Sequence, residues 1–277
     1  MDRLWLISNA QSGSTSDSGC AAIEAICHER GLDLVRHSGF PDEDIPDEAD
    51  LAAERIDTVV LFAGDGTINA CLCALANWQG AILILPGGTM NLLAKALHGD
   101  REPAEIVHAA HAAPVRVARP YIEAGSSRAF VAVILGPAAH WAEVREAARK
   151  GVYNRLFRFA VRAWRRTFGQ AVRVTGVAGM QRGYQAIFVS PEETGMTVTA
   201  VDARDWRTIL DLGWEWLRGD WVAARAVKER PAKSFRTSGK RPVLALFDGE
   251  SITIEPGTRF TCGRSAKVFL ATRPEAA

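Results

Sequence analysis

Two consecutive segments within residues 58–97 share one plan, and that plan constrains the fold more than any other feature of the chain. Each segment starts with a short apolar run, at 58–62 and at 81–85, and continues through a glycine-rich turn into a helix-like stretch. Neither run alternates between apolar and polar residues, which is typical of parallel strands that are buried on both faces. The repeat therefore predicts an α/β sheet with two glycine-rich loops side by side at its carboxyl edge.

The same alternation of strand, loop and helix begins near the N-terminus, where an apolar strand at 4–8 leads into a polar loop that starts at Asn9. The rhythm changes near Pro114, after which extended segments recur about every ten residues, a spacing typical of antiparallel sandwiches. We therefore predict two domains, a parallel α/β nucleotide-binding domain at 1–113 and an antiparallel β-sandwich with a helical insert at 114–277. The last strand is a candidate to return to the first domain.

Composition excludes several classes of protein. The 277-residue chain carries 33 Lys and Arg against 32 Asp and Glu, so its bulk charge does not favour a nucleic-acid partner. No apolar run approaches the length of about 18 residues that a membrane-spanning helix needs. The five cysteines are odd in number and scattered, which is typical of reduced thiols in a cytosolic protein. We therefore expect a cytoplasmic protein, and the sequence does not indicate its oligomeric state.

The two glycine-rich turns carry the groups that bind phosphate. Helix N-termini present unpaired backbone N–H groups and the positive end of the helix dipole. In the GDGT turn at 64–67, Thr67 supplies a hydroxyl donor, and Asp65 supplies a carboxylate for a ribose, a reacting hydroxyl or water-bound Mg²⁺. Such a turn is, by itself, equally compatible with an ordinary loop. A second turn 22 positions later, counted from Thr67 to Thr89, makes the pair more specific.

Four motifs resemble, in order and spacing, those of the diacylglycerol kinase catalytic family: residues 9–13, 64–69, 86–91 and the Asp-Gly-Glu turn at 248–250. That family includes bacterial lipid kinases and sphingosine kinase relatives, and it is distantly similar to NAD kinases. The resemblance covers nearly the whole chain and implies an α/β nucleotide domain, a β-sandwich and a substrate in the cleft. It also implies transfer of the γ-phosphoryl group of ATP to a lipid hydroxyl, with Mg²⁺ as cofactor.

Carried over by position, the resemblance assigns two sets of residues. The ATP-binding set comprises Asn9, Ser12, Gly13, Ser38, Gly64, Asp65, Gly66, Thr67, Gly87, Gly88 and Thr89. The catalytic set comprises Asp65, Asp248 and Glu250, with either Asp248 or Glu250 as the general base. Taken without the resemblance, the Asp-Gly pair predicts a type I′ turn at the surface. Both interpretations of this turn stay open, and the metal ligands are not assigned.

The chain departs from the family pattern at positions that bear on the chemistry. Ala63 replaces the first glycine of the family's G-G-D-G-T, Ala70 replaces a glutamate, and Leu92 replaces an aspartate. Phosphoryl transfer depends on positioning and on charge neutralisation, so the lost carboxylates matter. Two alternatives to a lipid kinase stay open: a nucleotide- or lipid-binding regulator without turnover, and an NAD kinase, which the turn at 86–91 disfavours.

Two helical segments, predicted at 140–150 and 153–168, form the insert of the second domain. The second segment combines aromatic side chains with arginines, which is compatible with a helix resting on an anionic membrane surface. The alternative, a helix that covers the sandwich and exposes a solvated basic face, is the more common arrangement. The expected partners are thus a lipid substrate and a membrane contacted at its periphery.

Overall fold

Contacts within the chain divide it into two units. The first contains Met1–Pro120 together with the end of the chain from Arg264, and the second contains Tyr121–Gly263. No helix among the described residues has both the length and the apolar composition needed to cross a membrane. The computed structural model describes residues 1–13, 15–88, 91–136, 171–201 and 227–273.

The first unit alternates strands and helices. Its elements in chain order are β1 (Arg3–Ser8), α1 (Asp17–Glu29), β2 (Asp33–Gly39), α2 (Glu48–Ala53), β3 (Thr58–Ala63), α3 (Asp65–Ala74), β4 (Ala81–Pro86), α4 (Leu92–His98), α5 (Pro103–Ala112) and β5 (Val115–Val117). Side chains fix several helix starts: Ser16 accepts the Gly19 N–H at the start of α1, and Asp47 forms a capping box with Asp50 before α2. The predicted alternation of strand and helix is confirmed here.

The second unit is built from strands in its described part. They are β6 (Pro120–Ala124), β7 (Ser127–Ala129), β8 (Val133–Leu135), β9 (Arg173–Thr175), β10 (Ala186–Glu192), β11 (Gly195–Val201), β12 (Val227–Ala232), β13 (Ser234–Ser238), β14 (Val243–Phe247), β15 (Glu250–Ile254) and β16 (Arg259–Arg264). They form two sheets, β12-β11-β10-β8-β14-β15 and β7-β6-β16-β13-β9. Inner side chains of both sheets, among them Phe235 and Phe247, form one apolar cluster. The predicted antiparallel strands are confirmed, whereas the helical insert predicted within 140–168 lies outside the described residues.

The final strand, β17 (Val268–Ala271), lies in the sheet of the first unit. That sheet has the order β2-β1-β3-β4-β17-β5. Strands β1 to β4 and β17 pair in parallel, and β5 pairs antiparallel with β17. Because β5 completes its hydrogen bonds in this sheet, the first unit extends to Pro120 instead of ending at the predicted residue 113.

Two regions of the second unit, residues 128–135 and Ser234–Ser238, were not apparent in their observed form from the sequence. Residues 128–135 look like one extended segment, yet they divide into the end of β7 and the whole of β8, separated by residues 130–132. The sequence does not predict β13, because Ser234–Ser238 contains one large apolar side chain, Phe235, among polar residues. One face of that strand is exposed, so the apolar pattern that marks a strand is weak there.

Three hydrogen bonds attach the end of the chain to α3, to α4 and to the segment between α4 and α5. Buried Lys267 donates from Nζ to the Leu72 carbonyl at 2.7 Å, near the C-terminal end of α3, where a positive charge is favourable. The Thr272 N–H donates to the Leu97 carbonyl at 3.2 Å, and Arg101 donates to the Thr272 carbonyl at 2.7 Å. The returning strand is therefore fixed at both ends.

His98 closes α4 in an apolar environment. The residue is 1% exposed, and its Nδ1 lies 3.0 Å from Thr272 Oγ1. Its Nε2 has no hydrogen-bond partner among the described residues. Burial lowers the pKa of His98 to about 4, so the folded state favours the neutral imidazole.

We expect the unfolding free energy to fall as the pH drops from 6.5 towards about 4, because the unfolded chain then binds a proton that folded His98 rejects. The loss should be on the order of 3 kcal/mol. His98→Asn should flatten this part of the profile in urea unfolding measured across pH. Exposed His28 provides the matched control as His28→Asn. An unchanged slope in His98→Asn would contradict this assignment.

Candidate nucleotide-binding loops and acidic turn

The loops that follow β1 and β3 are joined by side-chain hydrogen bonds. Asn9 Nδ2 donates to Thr67 Oγ1 at 2.7 Å, and Ser12 Oγ accepts the Gly64 N–H at 2.9 Å. The Asn9 N–H also donates to the Phe62 carbonyl at 3.3 Å. Since β1 and β3 are parallel neighbours, their carboxyl ends place both loops at one edge of the sheet. Residues predicted from two separate motifs are thus in direct contact.

The loop after β4 packs against the same two loops through its backbone. The Thr15 N–H and Oγ1 both donate to the Gly87 carbonyl, each at 3.1 Å. A Cβ added to Gly88 would lie 2.6 Å from Gly64 Cα, and one added to Gly87 would lie 2.3 Å from Thr15 Oγ1. Neither position has room for a side chain, so both glycines are required by close approach. Nothing in the sequence distinguishes Thr15 from other loop hydroxyls.

Asp65 supports the start of α4. Its Oδ1 accepts the Leu92 N–H at 2.8 Å, and the N–H groups of Asn91 and Leu93 also stabilise the carboxylate. Burial raises the pKa of Asp65, and these backbone N–H groups offset part of that rise. The carboxylate therefore ties the first glycine-rich turn to the helix that follows the second one. We assign Asp65 a positioning role on these contacts.

Asn91 shapes the second glycine-rich turn. Its Oδ1 accepts the Gly88 N–H at 2.7 Å, and its Nδ2 donates to the Gly88 carbonyl at 3.0 Å. Its φ of 52° is a left-handed conformation that asparagine tolerates better than most residues. Asn91 is the N-cap residue of α4 but makes no capping hydrogen bond through its side chain. Thr89, predicted to contact ATP, lies outside the described residues.

The N-terminus of α3 fits a phosphate. Its N-cap is Gly64, which has no side chain to accept a hydrogen bond. The first N–H groups of a helix, here those of Asp65, Gly66 and Thr67, have no carbonyl partner within the helix. Together with the helix dipole, they favour an anionic ligand. The N-terminus of α4, by contrast, is occupied by the Asp65 carboxylate.

Ser38 and Gly13 differ in their surroundings from the loop residues described above. Ser38 is 5% exposed, and its Oγ accepts the Trp5 indole N–H at 3.0 Å. Its hydroxyl is therefore engaged by a side chain of the sheet, and a contact with ATP stays a prediction for it. Gly13 is exposed in the loop after β1, two residues before Thr15.

The Asp-Gly-Glu segment of the second unit forms the turn between β14 and β15. Asp248 and Gly249 have φ values of 47° and 97°, as a type I′ turn requires. Asp248 is nevertheless 4% exposed. Its carboxylate accepts the N–H groups of Phe130, Val131 and Ala132 at 2.7, 3.0 and 3.0 Å. The turn type predicted from the Asp-Gly pair is correct, but the predicted surface position is wrong for Asp248.

Glu250 stands in a different environment from Asp248. It is the first residue of β15, it is exposed, and it pairs with Phe247 across the hairpin. The oxygens of Asp248 accept the N–H groups of residues 130–132. These N–H groups therefore do not pair with a neighbouring strand, which explains the break between β7 and β8. Of the two carboxylates that the sequence left open as a base, Glu250 is exposed to solvent and Asp248 is buried.

The metal ligands of this chain are not assigned by the structure. The described residues contain no group of three or more His, Cys, Asp and Glu side chains placed to hold a metal ion. Asp65, the acid of the glycine-rich turns, already accepts backbone hydrogen bonds. Mg²⁺ commonly binds through substrate phosphates, one or two carboxylates and water. Its use by this chain stays a prediction.

A model of one protein family, the diacylglycerol kinase catalytic domain, matches residues 3–119. This part of the chain is therefore similar to the diacylglycerol kinase catalytic domain. The match includes the motifs at 9–13, 64–69 and 86–91, so the resemblance that these loops indicated is confirmed. The Asp-Gly-Glu turn at 248–250 lies beyond it, and the roles of individual site residues stay predictions.

Solved structures agree with the fold of this kinase family. A diacylglycerol kinase from Bacillus anthracis str. Sterne has 14% identity and a TM-score of 0.67, with 100% of this chain and 98% of that chain covered. Two structures of a candidate diacylglycerol kinase from the same strain each have 16% identity, with TM-scores of 0.71 and 0.70 and coverage of 100% and 99%. No curated protein sequence matches the chain significantly. At these identities, the likeness shows the fold alone.

We expect Gly88→Ala to disrupt the catalytic-domain loops, because the new Cβ would meet the backbone of Gly64 and not a flexible side chain. The change should destabilise the fold by on the order of 1–3 kcal/mol and weaken nucleotide binding. Chemical denaturation and calorimetry with a nucleotide measure the two effects. Gly39→Ala, at a site with no atom within 4 Å of an added Cβ, is the control. Equal behaviour of both variants would refute the close-packing argument.

Proposed function

We propose that the protein is a kinase that transfers the γ-phosphoryl group of ATP to the hydroxyl of a lipid such as diacylglycerol or a sphingoid base. The observation that carries this proposal is the joining of three loops around the N-terminus of α3, within the residues that match the diacylglycerol kinase catalytic domain. Such a site binds by position and charge, which is what phosphoryl transfer requires of a protein. We take the protein to be cytoplasmic and to meet its lipid at a membrane surface.

The nucleotide phosphates would bind at the start of α3. The backbone N–H groups of Gly66 and Thr67 supply donors there. Asn9 donates to Thr67 Oγ1, so the threonine hydroxyl keeps its own proton to donate to a phosphate oxygen. Mg²⁺, bound to the ATP phosphates, would neutralise charge that develops in the reaction. The loops would thereby hold the phosphates while Asp65 keeps α4 in place.

The acceptor would be activated by the second unit, whose two sheets we take as the predicted β-sandwich. Glu250 would accept the proton of the lipid hydroxyl. The hydroxyl oxygen would bond to the γ-phosphorus as the bond between that phosphorus and the ADP oxygen breaks. Asp248 would hold the turn that carries Glu250, through its three backbone hydrogen bonds. This division of roles follows from the exposure of Glu250 and the burial of Asp248.

A regulator that binds nucleotide or lipid without turnover is the second candidate. The observations that favour it are the structural engagement of the Asp65 carboxylate and the presence of Ala70 and Leu92 where the family pattern has acids. The Leu92 N–H donates to Asp65, but the Leu92 side chain cannot replace the carboxylate that the family has at this position. Calorimetric affinity for ATP together with no product from any acceptor would select this candidate.

Purified protein with Mg²⁺ and γ-labelled ATP should give a labelled lipid with at least one member of a panel of diacylglycerol, monoacylglycerol and sphingosine. Thin-layer chromatography separates the products. An arm with NAD in place of lipid tests the alternative NAD kinase. Absence of labelled lipid with every acceptor, in the presence of measured ATP binding, would end the lipid kinase proposal.

Glu250→Gln should lower turnover by on the order of 10²–10⁴ with the fold intact, because the amide cannot take the hydroxyl proton. Asp248→Asn should instead destabilise the second unit by about 1–3 kcal/mol, because the amide leaves backbone donors without a carboxylate. Denaturant unfolding and turnover are measured on both variants. The assigned roles are wrong if Glu250→Gln keeps wild-type turnover, or if Asp248→Asn is as stable as the wild type.

A further inference from the structure

The sheet β7-β6-β16-β13-β9 has an apolar inner face and a polar outer face. Phe235 on β13 and Phe260 on β16 lie in the apolar cluster. Alternate residues on these strands point away from it, and on three neighbouring strands they include exposed arginines. We call this group the arginine face: Arg173 on β9, Arg236 on β13 and Arg259 on β16.

These arginines are neighbours across the strands. Arg236 lies opposite Arg259 in one antiparallel pair and opposite Thr175 in the other. Side chains directly opposite each other have Cβ atoms about 4.5–5.5 Å apart, and like charges in such positions repel. Arg173 lies opposite Ser238, two residues along β13 from Arg236. Three positive charges are therefore gathered on a small area of the sheet at a cost in repulsion.

No carboxylate on the described part of this face offsets these charges. Glu123 on β6 also points outward, but it forms an ion pair with Arg128 at 2.7 Å. Arg236 donates to the Gly257 carbonyl at 3.1 Å, which orients its guanidinium without neutralising it. Among the described residues, salt bridges form elsewhere and none involves the arginine face.

A cavity of about 540 Å³ adjoins the arginine face within the second unit. Arg173, Thr175, Gln181 and Ser238 line it with polar groups. Guanidinium groups match the geometry of phosphate oxygens, and neighbouring hydroxyl and amide groups add hydrogen-bond donors. The polar groups suit a phosphate ester, and Val174, Val177, Ala178 and Met180 complete the lining of the cavity with apolar groups.

We propose that the arginine face binds the anionic surface of a phospholipid bilayer, with headgroup phosphates against the three guanidinium groups. The inference rests on the proposed function and deepens it, because binding here would bring the kinase to the surface that holds its lipid acceptor. The whole chain has a net charge of only +1, so attraction to an anionic bilayer must come from a local cluster such as this one. The exposed residues are arginines and hydroxyls, which match headgroups and not acyl chains.

Sedimentation with vesicles tests the proposal without ATP or turnover. Wild-type protein should sediment with vesicles of phosphatidylcholine and phosphatidylglycerol, should stay in solution with phosphatidylcholine alone, and should be released by salt. Removing one arginine from an anionic surface should weaken binding about fivefold, and the triple variant Arg173→Gln, Arg236→Gln, Arg259→Gln should weaken it on the order of 100-fold. The triple variant should be at least as stable as the wild type, since it removes repulsion.

The matched control removes the same charge from the first unit, at exposed positions, as Arg30→Gln, Arg55→Gln, Arg116→Gln. It should keep nearly wild-type binding. The proposal is overturned if the wild type ignores anionic vesicles, if the arginine-face variant binds as the wild type does, or if the control loses as much affinity. It also fails if the arginine-face variant loses affinity for a single-stranded RNA but not for vesicles.

The two proposals fail separately in these assays. If vesicle binding depends on the arginine face but no labelled lipid forms, the membrane-binding proposal stands and the kinase proposal fails. If labelled product forms from lipid in detergent micelles but the protein does not bind anionic vesicles, the kinase proposal stands and the membrane-binding proposal fails.

Discussion

The close approach of the Gly64 and Gly88 backbones sets the spacing of the loops in the first unit. An added Cβ on Gly88 would lie 2.6 Å from Gly64 Cα, so these two turns meet at a distance that only glycine allows. The other bonds at this edge depend on that approach: Asp65 reaches the N-terminus of α4, and Thr15 reaches the Gly87 carbonyl. The arrangement of these loops is a property of three backbone segments in close contact, and the named side chains mainly hold those segments together.

Both motif aspartates serve the backbone. Asp65 accepts N–H groups at the start of α4, and Asp248 accepts N–H groups of residues 130–132. Asp248 is buried and Asp65 is half-buried, and a polar group removed from water needs such hydrogen-bond donors. In this protein, an acid that recurs in a kinase motif is therefore not automatically the acid that meets the substrate. The exposed glutamate beside the second aspartate is the better candidate for that task.

The sequence predicted the parallel sheet well, because non-alternating apolar runs followed by glycine-rich turns have few other structures open to them. It also placed the loops after β3 and β4 together, because parallel neighbours end at one edge, whereas the loop after β1 was added by the family resemblance. It could not give the direction of the Asp65 and Asp248 side chains, since both point to backbone that is distant in the chain. The role of Thr15 and the existence of β13 were not predicted for a related reason. A loop hydroxyl and a polar strand are recognisable only from the partners that they contact in the folded protein.

The place of β17 between β4 and β5 makes the first unit a discontinuous body. Its β4 and β5 are synthesised long before the strand that separates them, and the second unit must emerge in the interval. Until that strand arrives, β4 carries an unpaired hydrogen-bonding edge, which is the kind of surface that promotes aggregation in a partly folded chain. Completion of the first unit's sheet is thus a late event in biogenesis, because its last strand is synthesised after the whole second unit.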